Sequence, residues 1–309
     1  MVAAALWFLL RRQEGLLRWY VAAGVTLGLA ALCRPTFLAW IGLLLLFDAA
    51  RHLYHDQRQQ LGRTVMMGAI VLLTLSPWIV RNAKQLGRVT PTTTHGGYTL
   101  LLANNPGFYQ HLREAPWGAV WDSKPLDDER LQWLRDNNMN EVAADRDSYR
   151  RAWNTIVEQP GGFLYACVVR LGRFWSPLPH RLSEDESTAR TWLRRLTCAW
   201  YDAMLVLLLI GLAVVPRRKL SGPWLEGALL VLSLTLVHAV FWSNMRMRAP
   251  LTPFLSLLIA AGLTLICSRE DELKPVDPRD FQETAGGQEA AEAEEENRNH
   301  ADSDTIEID

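Results

Sequence analysis

Apolar residues in this chain come in long, nearly unbroken runs, without the alternation or three-to-four spacing of half-buried elements. Six runs approach the roughly 20 residues that a helix rising about 1.5 Å per residue needs to cross a bilayer. They are Leu16–Leu32, Thr36–Ala50, Thr64–Val80, Cys198–Val215, Trp224–Trp242 and Leu251–Cys267. Hydrocarbon offers the backbone no water, so helix is the conformation open to such isolated runs. Several are short, so flanking Arg and Trp must snorkel or some helices stop short of a full span. A seventh run, Val2–Leu10, is too short to cross and lacks the basic start of a signal peptide; it reads as the end of a helix whose beginning is absent. The expectation is an all-α membrane protein of about six transmembrane helices plus a partial N-terminal one.

Between the third and fourth runs lie 117 residues, Arg81–Thr197, too many for a plain loop. Pro91–Gly97 and Ala103–Gly107 are turn-rich. Asp127–Asn137 and Val142–Glu158 read as helices, the second ended by Pro160 and Gly161. Phe163–Trp175 is apolar but carries Arg170 and Arg173 three apart, which fits an interfacial helix lying on the outer leaflet. Four regions follow: N-terminal membrane helices at 1–80, a mainly helical extracytoplasmic segment at 81–197, C-terminal membrane helices at 198–267, and a disordered tail at 268–309.

Charge separates the body from that tail. Glu270–Asp309 holds fifteen acidic and three basic residues, a net of −12, whereas the remainder holds eighteen and twenty-nine, a net of +11. The tail has too few large apolar residues to fold. Thirteen Trp are many, and Trp19, Trp78, Trp200, Trp224 and Trp242 stand where apolar runs begin or end, the depth an indole prefers. Arg11, Arg12 and Arg18 share one short loop, Arg51, Arg58 and Arg63 the next on that side, and Arg217, Arg218 and Lys219 a third. By the positive-inside rule these loops and the tail are cytoplasmic, and 81–197 is outside. Arg81, Lys84, Arg88, Arg194 and Arg195 flank spans on the outer side, but long domains cross largely regardless of charge. The expected location is the plasma membrane, multi-pass, with the lipid bilayer as partner and no nucleic acid.

Charges at a membrane edge are costly and need a reason. Arg34, before Pro35, is either a snorkelling anchor or a contact to an anionic headgroup. Arg246 and Arg248 occupy a tight outer turn, Asn244–Pro250; two guanidiniums there suit a phosphate, against plain interfacial anchoring. Gly24 and Gly28 form a GxxxG pattern, read as a close helix-packing face. Cys33, Cys167, Cys198 and Cys267 lie in or beside apolar runs with no paired spacing, as small buried residues do. His52 and His55 share a helical face but are read as solvated, as are the carboxylates Asp122, Asp127, Asp128 and Glu129. HExxH, paired CxxC, P-loop and GxSxG patterns are missing. No metal site or cofactor is identified, and a divalent metal stays open.

Several segments in order resemble a known superfamily. Gly24–Thr36 resembles a segment of the multi-spanning, lipid-phosphate-sugar-dependent glycosyltransferases (GT-C type), which include protein mannosyltransferases and aminoarabinose transferases. Ser76–Asn82 is similar to their Pro-Trp-x-x-Arg-Asn at the end of a span, followed by His95-Gly-Gly-Tyr98 and Ala103-Asn-Asn-Pro106. Met245–Pro253 resembles their Arg-x-Arg turn before a final span. The resemblance covers most of residues 16–267. It implies transfer of a sugar from a polyprenyl-phosphate carrier to an extracytoplasmic acceptor, with Arg246, Arg248 and Arg34 on the lipid phosphate. Arg81, His95, Tyr98, Asn104 and Asn105 are weaker candidates for acceptor or donor contacts. The family's acidic base lies in a first outer loop that has no counterpart here. The chain therefore resembles a C-terminal portion, completed by an N-terminal half or a partner subunit. The alternative is a non-catalytic membrane subunit or an inactive remnant of such an enzyme.

Overall fold

The computed structural model describes residues 1–116, 119–179, 186–214 and 223–273. Among them every regular element is helical, and four helices are long and apolar enough to cross a membrane: Phe37–Tyr54, Arg58–Leu86, Thr188–Ala213 and Met245–Cys267. Two of the six expected spans fall in shorter apolar helices, Leu17–Cys33 and Trp224–Val240. A helix of about 17 residues rises about 26 Å, less than the roughly 30 Å hydrocarbon core. Length therefore qualifies four of the six. The basic loop at 217–219 and the acidic tail from residue 274 onward lie outside the described residues.

The chain divides into two compact units, Met1–Gly262 and Leu263–Asp309. In the second, Leu263–Leu273 is described and is helical, although the tail was expected to begin at 268. The first unit opens with α1 (Val2–Arg11), a 3-10 turn at Arg12–Glu14, α2 (Leu17–Cys33), α3 (Phe37–Tyr54) and α4 (Arg58–Leu86). Gly15, at φ 73°, supplies the left-handed residue that closes the turn into α2. Arg34 is extended, as the residue before a proline must be, and this separates α2 from α3.

The GxxxG reading of α2 holds. A Cβ added at Gly24 would sit 2.9 Å from Ile70, and one at Gly28 would sit 2.6 Å from Thr74 Cβ, so α2 packs directly on α4. Within α4, Pro77 removes the N–H that would bond the carbonyl of Leu73. The Ser76 hydroxyl donates to that carbonyl at 2.8 Å, and the helix continues to Leu86. The Pro-Trp motif thus lies inside α4, more than two turns before its end.

The segment after α4 contains α5 (Gly96–Ala103), α6 (Pro106–Glu114), α7 (Lys124–Asp136), α8 (Glu141–Glu158) and α9 (Pro160–Trp175). The helices expected at Asp127–Asn137 and Val142–Glu158 correspond to α7 and α8, and the one expected at Phe163–Trp175 to α9. Both α5 and α6 begin inside the stretches read as turns and were not expected as helices. The true turn is Asn104-Asn105, and Asn105 caps α6 by accepting the Phe108 N–H at 2.8 Å, with Pro106 at the first helical position. Then come α10 (Thr188–Val214), α11 (Pro223–Val240), a 3-10 segment at Met245–Leu251 and α12 (Thr252–Leu273). The main core joins α1–α4 to α11 and the start of α12 around Leu27, Trp40, Leu44, Met67 and Leu230.

Candidate functional site

The end of α9, the end of α11 and the 3-10 segment meet at Arg248. A 3-10 turn takes about three residues, so positions two apart face different ways. Arg246 is exposed, with its backbone N–H on Asn244 Oδ1, whereas Arg248 is 5% exposed. The two guanidiniums therefore do not form one fork. Arg248 Nη1 donates to the Phe174 carbonyl at 3.1 Å, and the guanidinium lies 4.3 Å over the Tyr201 ring. The Tyr201 side chain also interacts with the guanidinium as a polar partner, and among the described residues Nη2 has no partner at full hydrogen-bond geometry.

Three further polar groups lie on α11 or in the residues that follow it. His238, on α11, stacks on the Phe174 ring at 5.3 Å, is 4% exposed, interacts with the Trp242 backbone, and has no partner at full hydrogen-bond geometry for Nδ1 among the described residues. Among the described residues, Oγ of Ser243, which is 2% exposed, has no partner, and neither has Oγ1 of Thr235, one turn before His238 on α11. Arg34 is exposed and within electrostatic range of His238. A buried polar group left unpaired costs about 1–3 kcal/mol, so this concentration points to a polar ligand. A guanidinium corner and hydroxyls suit the oxygens of a phosphate. Sequence reading found Arg34, Arg246 and Arg248; it missed His238, whose place depends on how Phe174 of α9 packs against α11, and Ser243.

Arg170 serves the scaffold. It is 1% exposed, donating from Nε to the Ala239 carbonyl at 2.6 Å and from Nη1 to the Ala103 carbonyl at 2.5 Å. It thus takes up carbonyls at the C-terminal ends of both α5 and α11. Its place is inward, not on the headgroup side expected for an interfacial Arg. Exposed Leu164 and Val168 occupy another face of α9. Asn104 joins the same cluster, donating to the Leu100 and Val240 carbonyls at 2.9 Å and accepting the Tyr109 hydroxyl at 2.9 Å. Asn104 and Asn105 are therefore spent on internal bonds. Arg81 lies 4.7 Å over the Trp78 ring and donates to Asn82, which itself ties down the Thr90 and Thr92 carbonyls.

His95 lies elsewhere, lining a cleft of about 480 Å³ between residues 93–95 and the facing parts of α7 and α8, and Tyr98 stands next to it, its ring 5.0 Å from that of His95 and under the Arg130 guanidinium. Gly97 begins α5 against α8: its N–H donates to Asp145 Oδ1 at 2.7 Å, and an added Cβ would run into the Asp145 carbonyl. Burial pushes the Asp145 carboxyl up, and the Gly97 bond works against it. Tyr98 is pushed up to about 12 by burial and by its hydrogen bond to Asp127 at 2.6 Å.

A third constellation went unseen in the sequence. Arg12 bridges Asp48 of α3 and Glu226 of α11, all three buried, and the Trp40 indole donates to the Glu226 carbonyl at 3.0 Å. Asp48 and Glu226 are acids within apolar runs, and that was the available signal. Among the described residues no group of three or more His, Cys, Asp or Glu could hold a metal.

Comparison with protein-family models, curated proteins and solved structures finds no match to this chain.

Proposed function

We propose that this chain is the membrane-embedded, carrier-binding part of a transferase that moves a sugar from a polyprenyl phosphate to an extracytoplasmic acceptor. The observation that carries the reading is the buried guanidinium of Arg248, held by Phe174 and Tyr201 with no hydrogen bond to Nη2 among the described residues, and with His238 stacked on the same Phe174. The ordered motif resemblance between residues 16 and 267 supports it. In this reading α2 and α11 join the four longer helices as spans, the Arg34 turn and the 3-10 segment face outside, and Arg248 stabilises charge on the departing lipid phosphate. Arg34 approaches the same phosphate from the rim, and Arg246 faces the headgroups. The reading assigns no general base within the chain.

The test is binding of polyprenyl phosphate to the purified protein in nanodiscs. A charge-assisted hydrogen bond is worth about 1.5–3 kcal/mol, so Arg248→Ala should weaken binding by roughly 10–150-fold. Arg246→Ala should change it much less. Binding by Arg248→Ala as tight as that of the parent overturns the assignment. Sugar transfer by the chain alone would show that it also holds the base, whereas binding without transfer fits a carrier-binding subunit.

A further inference from the structure

The cleft beside α5 shares no residue with the Arg248 site and stands apart from the function proposed for it. Its walls carry two charged side chains of opposite sign, each anchored and each with unused capacity. Arg130 is fixed at two points: Nε donates to Ser148 Oγ at 3.2 Å, and the guanidinium plane lies 4.9 Å over the Tyr98 ring. Tyr98 is itself held by Asp127, which also accepts the Ser123 hydroxyl at 3.0 Å. Among the described residues nothing bonds to Nη1 or Nη2 of Arg130, so its outer fork is set in place and open. A fork of that kind binds an oxyanion through two parallel bonds. On the other wall Glu141 accepts the Thr94 hydroxyl through Oε1, and its Oε2 is open.

Electrostatics selects among ligands. The charged and titratable groups at the cleft are Arg130, Glu141 and His95, with Asp127 and Asp145 behind them and both His95 and Arg88 within range of Asp145. Three carboxylates against two guanidiniums and the His95 imidazole leave the surroundings with little net charge. A simple anion gains the Arg130 fork but faces Glu141. A simple cation gains Glu141 but faces Arg130. A molecule carrying both charges satisfies both walls. Leu134, Met139 and Ala144 offer apolar surface for the carbons between its charged ends. The volume, about 480 Å³, lies in the lower part of the small-molecule range of about 300–1,000 Å³.

We propose that this cleft binds a small zwitterion, its oxyanion in the Arg130 fork and its ammonium on Glu141. Such a group is carried both by free small molecules and by the phosphoethanolamine headgroup of a lipid. The test uses the full chain in phosphatidylcholine nanodiscs, with glycerophosphoethanolamine as probe and inorganic phosphate and ethanolamine as its halves, read by calorimetry. Glycerophosphoethanolamine should bind at least about tenfold more tightly than either half. Arg130→Gln and Glu141→Gln should each weaken it about tenfold or more, from the loss of a charge-assisted bond, with helical content and melting unchanged. Arg130→Lys, which keeps the charge and loses the fork, should restore it only in part. Phosphate alone binding as well as the full probe would reduce the site to an oxyanion site and overturn the proposal. So would ethanolamine binding as well as the full probe, no binding of any probe, or variants that bind like the parent. Once binding is seen, nanodiscs containing phosphatidylethanolamine identify the source. Loss of soluble-probe binding there assigns a lipid headgroup, and undiminished binding assigns a free molecule.

Discussion

Arg12 donates from Nη1 to Asp48 Oδ2 at 2.5 Å across 36 positions of sequence, and through Nη2 it also engages Glu226, so one guanidinium joins three elements. Removing one partner of a buried pair typically costs about 3–5 kcal/mol, because the others remain charged and unpaired. Arg12→Met should therefore lower thermal stability in detergent by that order. The triple variant Arg12→Met, Asp48→Leu, Glu226→Leu should regain most of the loss, since a buried triad replaced by apolar groups is often neutral. A single variant that melts with the parent would show that the triad adds nothing.

The contact between α2 and α4 makes a second prediction. Gly28→Ala puts a methyl 2.6 Å from Thr74 Cβ, inside any real contact distance. Overpacking of this kind costs about 1–3 kcal/mol. Thr74→Ala alone should be mild, and Thr74→Gly combined with Gly28→Ala should recover part of the loss. Additive melting shifts in that double variant would show that the two positions do not meet.

Tyr98 gives a pH prediction. Its folded value, about 12, lies above the ordinary 10.0. Its contribution to stability is thus complete below pH 10 and is lost as pH rises through about 12. The phenolate absorbance of the parent minus that of Tyr98→Phe should step near pH 12. A step at pH 10 would mean that Tyr98 is not engaged with Asp127.

Topology is testable by labelling. In a variant lacking the four native Cys, Asp128→Cys should react with an impermeant maleimide in intact cells, and His55→Cys only after permeabilisation. The expectation rests on the Lys/Arg bias of the short loops. The reverse pattern would invert the protein.

What the sequence revealed follows from how local each cause is. The helical class, the Gly24/Gly28 packing face and the helices α7 and α8 rest on composition and short-range spacing, and these were readable. Helix α5 was not, because its start is secured by Asp145, 48 positions away. Asn104 looked like a turn residue, yet one of its bonds is to the Val240 carbonyl, 136 positions on. Arg246 and Arg248 looked like a pair; the 3-10 geometry that separates them is set by the Asn244 cap and Pro250, and sequence spacing alone does not reveal it.

Ser76 and Pro77 form a pair whose substitutions have a direction. Proline strips Leu73 of its helical donor, and the serine hydroxyl replaces it. Losing Pro77 first leaves a spare hydroxyl and restores the backbone bond, a change that α4 tolerates. Losing Ser76 first leaves a bare carbonyl in a helix apolar enough to face lipid, where no solvent takes its place. Mutational paths through this helix should therefore be one-way, with the proline surrendered before the serine.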